Sequence, residues 1–429
     1  MRSLKQRLEN FLWKATRSNR VVGEIKQIVE SAVTRIEQQY LVNPPAPIPS
    51  AMFSDIYRIY SALQDDDSRF LFWGRLEYSF MTLTKPQPHF FMGDWAVLYK
   101  SMIKIDFFAK KRTDFASHYG IKNVLDLLID SNISSKEILL YGFDYHHGWM
   151  FPNFTEAVKE LGFIIKGIVI LNDDFSESVF HGIKVLDENE AFDKSDSRNI
   201  VLVGSPWEHG KISEMVEKFL NKGIDATKLF LLHDYYSPQY FDDKIMIPGN
   251  HEIFVDAGVL NMGTTVDFID WCKGNYDYIY AFEPMPQSFE ICQNIINSNT
   301  KLNASKISLI KKGLFDKEMK ARFQINGGGS KIDPSGTEEI ELTSLDNILN
   351  GKPVTFIKMD IEGAELDALK GAQKTIVKWR PRLAISIYHK AEDIVDIPSY
   401  ILGLVPEYKL YIRHYSTFCE ETVLLAVIE

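Results

Sequence analysis

The chain has 429 residues, of which 45% are hydrophobic and 25% are charged, so its composition is that of a globular protein with more than one core. Its formal net charge of -10 argues against a broad basic surface for nucleic acid or anionic membranes. Three cysteines without C-x-x-C spacing, a charged N-terminus and no apolar run of about 18 residues predict a cytoplasmic protein without disulfides, zinc thiolates or a membrane span.

The first part of the chain has a helical pattern. In residues 1–43 apolar residues recur mainly every three or four positions, which predicts a helical arm. Such an arm can pack against a second copy, so a homo-oligomer is one alternative for this protein. A proline-rich break begins at residue 44, and the region from 44 to 132 is predicted to be mainly helical.

Strands alternate with helices between residues 133 and 244. Apolar runs at 137–142, 164–171, 199–204 and 229–233 predict a Rossmann-like domain, with helices on both faces of a parallel sheet. The loop at 141–148 is bulky and lacks the G-x-G-x-x-G fingerprint, which predicts that this domain has lost or changed its ligand. The adjacent His146 and His147 in that loop are predicted to be surface residues rather than metal ligands.

A second α/β alternation spans residues 245–429. Seven strand candidates lie at 252–257, 278–282, 307–314, 354–359, 382–388, 408–414 and 422–428, and helical patterns lie at 265–272, 288–297 and 364–379. No helix separates the last two strands, so we expect a mostly parallel sheet that ends in a hairpin.

Two strand ends in this second unit carry the first polar signals. Asp256 and Gly258 follow a buried strand, and a glycine there lets the backbone approach a ligand. The spacing is that of neither a dinucleotide nor a phosphate loop, so a helix-starting turn without a ligand is an equal alternative. Glu283 ends the next strand, where it is either a ribose-binding carboxylate or a solvated residue before a turn.

The strongest signal is the charged tip of the strand at 354–359. Lys358, Asp360 and Glu362 follow each other with period two, which places them on one side of the tip. Because charged groups are costly to bury without partners, we expect a substrate or cofactor beside them. The alternative is an internal ion pair between Lys358 and Asp360.

These stretches resemble the FkbM family of methyltransferases. The resemblance is carried by VDAG at 255–258, FEP at 282–284, LTSLDNIL at 342–349, FIKMDIEGAELDALKGA at 356–372, RPRLAISIYHKAEDIVDIPSYI at 380–401 and YKLYIRHYS at 408–416. It implies a class I Rossmann-like fold, S-adenosylmethionine as the methyl donor, and a hydroxyl of a saccharide or sugar-linked small molecule as the acceptor.

The resemblance also implies site residues. Those expected to contact the cofactor are Asp256, Gly258, Asn261, Gly263, Glu283, Gly313, Leu314, Phe315 and Asp360. Of these, Asp256 and Gly258 would hold the methionine end, Glu283 the ribose, and the segment 312–316 the adenine.

One position departs from the family pattern. Family members carry a second glycine where this chain has Met262. The departure predicts either a shift of the loop onto Gly263 or weaker cofactor binding.

Methyl transfer to a hydroxyl is an in-line displacement that a general base assists. His389 and Asp360 are the predicted bases, and Glu362 is placed with them beside the methyl group and the acceptor. His389 as a hydrogen-bonded residue at a helix entry is the alternative. We predict no metal from the spacing, although Asp360, Glu362 and His389 have the donor types that suit Mg²⁺ or Mn²⁺.

Other interpretations stay open at this point. Arg413 and His414 either bind an anionic acceptor or close the end of the sheet. The chain as a whole is alternatively a degenerate methyltransferase that binds or assembles, or a nucleotide-sugar-modifying enzyme that uses residues 133–244. None of these interpretations involves nucleic acid.

Overall fold

The structure is a computed structural model. It describes residues 50–83, 119–124, 127, 133, 135–143, 155, 158–159, 162–171, 176–180, 182–192, 198–203, 209–232, 239–324, 331–332, 336–415 and 421–428. The predicted arm at 1–43, the proline-rich break, His146, His147 and Cys419 lie outside these residues.

Helices and strands alternate along most of the described chain. The helices are α1 (Ser50–Ala62), α2 (Asp66–Leu83), α3 (Glu188–Ala191), α4 (His209–Asn221), α5 (Gly263–Trp271), α6 (Pro286–Ser298), α7 (Leu345–Leu349), α8 (Glu365–Lys370), α9 (Gln373–Trp379) and α10 (Asp393–Leu404). The strands are β1 (Lys122–Asn123), β2 (Glu137–Phe143), β3 (Ile164–Ile170), β4 (Val179–Phe180), β5 (Ile183–Lys184), β6 (Asn199–Val203), β7 (Leu229–Leu232), β8 (Glu252–Ala257), β9 (Tyr276–Phe282), β10 (Ile307–Ile310), β11 (Gly313–Leu314), β12 (Met319–Gln324), β13 (Lys331–Ile332), β14 (Glu338–Thr343), β15 (Phe356–Met359), β16 (Arg382–Ser386), β17 (Lys409–His414) and β18 (Thr422–Val427).

The first large sheet is parallel throughout, with the strand order β1-β7-β6-β2-β3. Its central strands are buried on both faces: Leu139 and Leu202 pack into one core, and Leu140 and Val201 pack into another. Burial on both faces explains why these strands are continuous apolar runs in the sequence. The predicted parallel sheet between residues 133 and 244 is therefore confirmed.

The second large sheet has seven strands in the order β10-β9-β8-β15-β16-β18-β17. The first five strands are parallel, and the hairpin of β17 and β18 completes the sheet with β18 antiparallel to β16. This is the mostly parallel α/β sheet with a terminal hairpin that the sequence predicts. Its parallel strands direct their carboxyl ends to one edge, where ligands bind in open α/β sheets.

Two predicted elements are each divided in the structure. The strand predicted at 307–314 ends at Ile310, and β11 continues into a separate four-stranded sheet, β11-β14-β12-β13, which the sequence did not predict. The helix predicted at 364–379 is interrupted at Gly371, where a Cβ atom would lie 2.0 Å from the carbonyl oxygen of Phe315. Only glycine allows these two segments to approach so closely.

Helices α1 and α2 pack against the outer strand β17 of the seven-stranded sheet. The backbone N–H of Gln64 donates to the carbonyl of Leu410 at 3.0 Å, and the N–H of Ile412 donates to the Ser68 hydroxyl at 3.0 Å. Residues 50–62 and 66–83 are therefore helical, as predicted for this part of 44–132, and they pack against the sheet of the second unit.

Arg413 connects these helices to the sheet. Its buried guanidinium donates two hydrogen bonds to the Asp65 carboxylate and one to the Ser68 hydroxyl, and Asp242 lies 3.7 Å from its Nε. The alternative in which Arg413 binds an anionic acceptor is therefore wrong, because Asp65 and Ser68 accept from its terminal nitrogens and a third group, Asp242, faces its Nε. His414 contacts the Thr422 hydroxyl at 2.8 Å across the hairpin.

We expect Asp65→Asn to destabilise the protein by about 2 kcal/mol at pH 7, because it removes the charge that pairs with buried Arg413. Burial raises the pKa of Asp65, but the hydrogen bonds and charge of Arg413 outweigh burial and hold that pKa below 3.8. Because the pKa of Asp65 is lowered in the folded state, its pair with Arg413 stabilises the protein at neutral pH. This stabilisation is lost as the pH falls through the folded-state pKa of Asp65. Urea denaturation at pH 7 and pH 3 measures both effects.

The matched control is Asp55→Asn, because the Asp55 carboxylate pairs with Arg58 on the exposed surface of α1. We expect this change to cost less than about 0.5 kcal/mol. Equal destabilisation by the two variants would contradict the role assigned to Asp65.

Candidate active site

The register of the parallel strands brings the predicted strand-end residues together. Met359 of β15 pairs with Ala257 of β8, and Ala257 pairs with Phe282 of β9. The residues that follow these positions therefore lie side by side at the carboxyl edge. Gly258, Glu283 and Asp360 are those residues.

The turn after β8 fits closely against the turn after β15. Gly258 has a positive φ of 81°, and a Cβ atom there would lie 1.8 Å from the carbonyl oxygen of Asp360. Glycine is required at this position because of that backbone approach. The N–H groups of Gly258 and Val259 both donate to the carbonyl of Phe282, at 3.2 and 3.3 Å, which ties the turn to the neighbouring strand.

Met262 takes the left-handed conformation in the position where the family pattern has its second glycine. Its φ is 62°, its side chain is fully buried, and Gly263 begins α5 without a positive φ. The predicted shift of the loop onto Gly263 is therefore wrong. The Asn261 side chain accepts a hydrogen bond from the Gly263 N–H at 3.1 Å and so supports the start of α5.

Asp256 is fully buried beneath this turn. One carboxylate oxygen accepts the Thr265 hydroxyl at 2.7 Å, and the other, Oδ1, lies 3.3 Å from the Lys358 ammonium without forming a hydrogen bond to any described residue. Lys358 donates to the carbonyls of Ala257 and Gly258 at 3.0 and 2.7 Å. The ion pair therefore forms with Asp256, and the predicted alternative of a Lys358–Asp360 pair is wrong.

Glu283 is only 5% exposed, so the alternative of a solvated glutamate is also wrong. Its two carboxylate oxygens accept the backbone N–H groups of Leu260 and Met285 at 3.1 and 2.9 Å. Burial raises the pKa of Glu283 above its ordinary value, despite these two hydrogen bonds. This carboxylate joins the turn after β8 to the start of α6.

The predicted adenine segment lies next to Glu283. Gly313 and Leu314 are buried in β11, and a Cβ atom at Gly313 would lie 3.7 Å from the Pro284 side chain. The N–H of Phe315 donates to the Thr343 carbonyl at 2.8 Å, and its ring is half-buried. The segment is thus held at the same edge by β14.

The predicted catalytic residues form one group, which we call the His389 cluster (Asp360, Glu362, Glu365 and His389). His389 Nε2 lies 3.4 Å from Asp360 Oδ1 and 3.5 Å from Glu362 Oε2, and its Nδ1 lies 3.0 Å from Glu365 Oε1. Glu362 has a positive φ of 57°, a strained conformation of the kind found at functional sites. The structure therefore brings Asp360, Glu362 and His389 together as expected.

Two tyrosines complete the surroundings of Asp360. The Tyr240 hydroxyl donates to Asp360 Oδ2 at 2.6 Å, and the Tyr388 hydroxyl lies 3.3 Å from Oδ1. Neither these tyrosines nor Glu365 was predicted from the sequence. Glu365 lies in the same motif as Asp360, but Tyr240 comes from the segment between the two sheets, where no sequence pattern points to it.

The charges in and around the His389 cluster raise the pKa of His389 and lower the pKa of Asp360. Burial lowers the pKa of His389, but Glu365, Asp360 and Glu362 outweigh burial and raise that pKa to about 10. Burial raises the pKa of Asp360, but the charges of His389 and Lys358 hold it below 3.8. The cluster thus concentrates negative charge around a single imidazole.

The family model of the methyltransferase FkbM domain matches residues 255–411, which include the turn after β8 and the His389 cluster. This part of the chain is an FkbM methyltransferase domain. The match therefore supports a methyltransferase domain in this part of the chain, with the α/β sheet that the resemblance implies. No curated protein matches the chain.

The protein with its FkbM domain is similar to several solved structures. A methyltransferase FkbM from Methylobacillus flagellatus KT is 18% identical, with a TM-score of 0.40, and the match covers 77% of this chain and 100% of that one. An rRNA methylase from Streptococcus thermophilus is 16% identical over 45% and 96% of the two chains, with a TM-score of 0.30. A methyltransferase from Streptococcus mutans, solved in complex with SAH, is 13% identical over 44% and 94%, with a TM-score of 0.27.

Hydropathy gives one further result. Among the described residues, none of the helices combines the length and apolar character needed to cross a bilayer.

Two non-glycine residues in the turn of the FkbM domain, Leu260 and Met262, are left-handed, and they allow a matched test of backbone strain against side-chain packing. A left-handed conformation costs a non-glycine residue about 1–2 kcal/mol, whereas deleting a buried methionine side chain costs about 2–5 kcal/mol. We therefore expect Met262→Gly to lower the free energy of unfolding by at least about 1 kcal/mol. Leu260 has a φ of 54° and a 45% exposed side chain, so we expect Leu260→Gly to be neutral or stabilising.

Urea denaturation of both variants without ligand measures the two changes in the free energy of unfolding, which we expect to differ in sign. Stabilisation by Met262→Gly would mean that strain outweighs packing at this position, and it would contradict the expected role of the buried side chain.

Proposed function

We propose that the FkbM domain transfers a methyl group from S-adenosylmethionine to a hydroxyl oxygen of a saccharide or sugar-linked small molecule. The observation that carries this proposal is the position of the His389 cluster, which borders the turn at 258–263 along the carboxyl edge of the sheet. The carboxylates there are suited to binding hydroxyl groups and to accepting a proton from one of them.

The residues at the other strand ends fit S-adenosylmethionine, which supplies an electrophilic methyl group on a positively charged sulfur when bound. We propose that Asp256 supports the methionine end, because its buried carboxylate pairs with Lys358 and holds the end of β8 beneath the turn. Each oxygen of Glu283 accepts one backbone N–H and retains a lone pair for a ribose hydroxyl. We propose that Gly258, Asn261 and Gly263 line the methionine end.

The adenine side of this proposed site comes from the smaller sheet. We propose that Gly313, Leu314 and Phe315 bound the adenine, because β11 holds them beside Pro284 and Glu283. Of the three side chains, the half-buried Phe315 ring offers the stacking surface.

The acceptor hydroxyl must lose its proton as the new O–CH₃ bond forms and the CH₃–S bond breaks. A sugar hydroxyl is a poor nucleophile, so a positioned proton acceptor contributes to the rate. We propose that Asp360 accepts this proton, that His389 holds the Asp360 carboxylate in place from 3.4 Å, and that Glu362 hydrogen-bonds a neighbouring hydroxyl of the acceptor. Tyr240 and Tyr388 orient Asp360 through their hydroxyl groups.

We also propose that the chain is divided into four regions: a helical arm at 1–43, a mainly helical region at 44–132, a Rossmann-like domain at 133–244 and the methyltransferase domain at 245–429. The cytoplasmic location, a homo-oligomer formed through residues 1–43 and the lack of a nucleic-acid partner remain predictions of the same kind.

We expect Asp360→Asn to abolish methyl transfer while leaving S-adenosylhomocysteine binding within about twofold of the wild type, because the change removes the proton acceptor and keeps the side-chain shape. Transfer is measured with ¹³C-methyl-labelled S-adenosylmethionine and a panel of saccharides, sugar nucleotides, amines and thiols. The carbon chemical shift of the product methyl identifies the acceptor atom. Calorimetric titration with S-adenosylhomocysteine measures cofactor affinity on the same samples.

The matched control is Asp367→Asn, since Asp367 pairs with Lys370 on the surface of α8. We expect its transfer rate to equal that of the wild type. Labelling of nitrogen or sulfur acceptors without any saccharide product would contradict the proposal, and so would full activity of the Asp360→Asn variant.

A further inference from the structure

His389 is a buried imidazole with an unusual set of neighbours. Its side chain is 10% exposed, and neither ring nitrogen satisfies the geometry of a hydrogen bond to a described residue. Nδ1 nevertheless faces Glu365 at 3.0 Å, so the polar neighbour on that side is a carboxylate with no solvent exposure. Nε2 points to the other side, between Asp360 and Glu362.

The spacing around Nε2 is too wide for direct pairing. A protonated imidazole draws a carboxylate to about 2.7–2.9 Å, whereas the distances from Nε2 to Asp360 and Glu362 are 3.4 and 3.5 Å. Neighbouring ligands of an octahedral ion with bonds of about 2.1 Å lie about 3.0 Å apart. One ligand atom from each of the three residues lies within 4.8 Å of the other two, so a shared cation between them would draw the ligand atoms a few tenths of an ångström closer together.

The charges around this space favour a cation. Asp360, Glu362 and Glu365 surround one imidazole, and the buried ammonium of Lys358 is bound to Asp256 and two carbonyls. Asp360 and Glu362 are 18% and 29% exposed, so the space remains accessible from solvent.

We propose that Asp360 Oδ1, Glu362 Oε2 and His389 Nε2 bind a divalent cation of the Mg²⁺ and Mn²⁺ class. Two carboxylate oxygens and one imidazole nitrogen form a ligand set that suits Mn²⁺ well, and three octahedral positions remain for water or acceptor oxygens. Glu365 is a positioning residue, because a carboxylate on the second nitrogen of a ligating histidine fixes the orientation of its ring.

The role of this cation in methyl transfer rests on the proposed function, to which it adds a preference among acceptors. Two oxygens on adjacent carbons of a saccharide can occupy two of the open positions, so the cation would select acceptors with neighbouring hydroxyl groups. As a Lewis acid, the bound cation would also lower the pKa of the coordinated hydroxyl.

The test uses the full-length protein after treatment with EDTA, titrated with MnCl₂ and followed by electron paramagnetic resonance of free Mn²⁺. We expect one equivalent to bind, with a nitrogen coupling from histidine detected by electron spin-echo modulation. Glu365→Gln should weaken Mn²⁺ binding about 10- to 100-fold, and Glu362→Gln and His389→Gln should weaken it by more. Glu362 is partly exposed, so its variant is expected to fold even if changes at His389 perturb the structure.

His251→Gln is the matched control, because His251 also lies beside a carboxylate, Asp277, at 3.0 Å, but on the exposed surface. We expect this variant to bind Mn²⁺ as the wild type does, with the nitrogen coupling intact. Absence of saturable binding, or equal binding by the wild type and the Glu362→Gln and His389→Gln variants, would overturn the inference.

Titration with S-adenosylhomocysteine separates this inference from the proposed function. Mn²⁺ binding with nitrogen coupling but without S-adenosylhomocysteine binding would support the metal site and contradict the proposed cofactor site. Full methyl transfer in EDTA, unaffected by added Mn²⁺, would overturn a catalytic cation while supporting the proposed transferase.

Discussion

The buried ammonium of Lys358 holds together the part of the molecule on which the candidate site depends. It pairs with Asp256 and donates to the carbonyls of Ala257 and Gly258, so a residue of β15 binds the end of β8. Removing one partner of such a buried pair costs about 3–5 kcal/mol, because the other charge is left without compensation. Asp256 and Lys358 therefore act first as structural residues, and through them the two adjacent turns keep their close approach.

Contacts from two further elements position the other site residues around the Lys358–Asp256 pair. Glu283 binds the turn from the side of β9, and Tyr240 reaches Asp360 from the segment between the two large sheets. The ring of Tyr240 also lies 5.3 Å from the Lys358 ammonium, a cation–π arrangement. The segment that joins the two sheets is thus part of the proposed reaction centre and more than a linker.

Much of this arrangement could be predicted from the sequence, because parallel strands have a simple pattern. Continuous apolar runs identified the strands, and parallel topology requires that their polar ends meet at one edge, as Gly258, Glu283 and Asp360 do. The motif around Asp360 and the strand before His389 likewise indicated that these residues would meet.

Sequence patterns could not provide the contacts that depend on tertiary packing. Nothing in the run at 307–314 shows that the chain leaves the main sheet at Ile310, since that outcome depends on pairing with the distant β14. The partner of Lys358 was predicted wrongly, because proximity along the strand suggested Asp360 while the adjacent strand supplied Asp256. Tyr240 was missed for a similar reason, because the sequence does not show that the segment at 239–246 passes beside Asp360.

The proposed place of methyl transfer is the carboxyl edge of the seven-stranded sheet, between the turn at 258–263 and the His389 cluster. A crystal structure of the protein with S-adenosylhomocysteine would decide whether the reaction takes place there. We expect the ligand to lie across that turn, with its ribose at Glu283 and its sulfur facing Asp360. Binding of S-adenosylhomocysteine at any other place, with the sulfur directed away from the His389 cluster, would contradict this assignment.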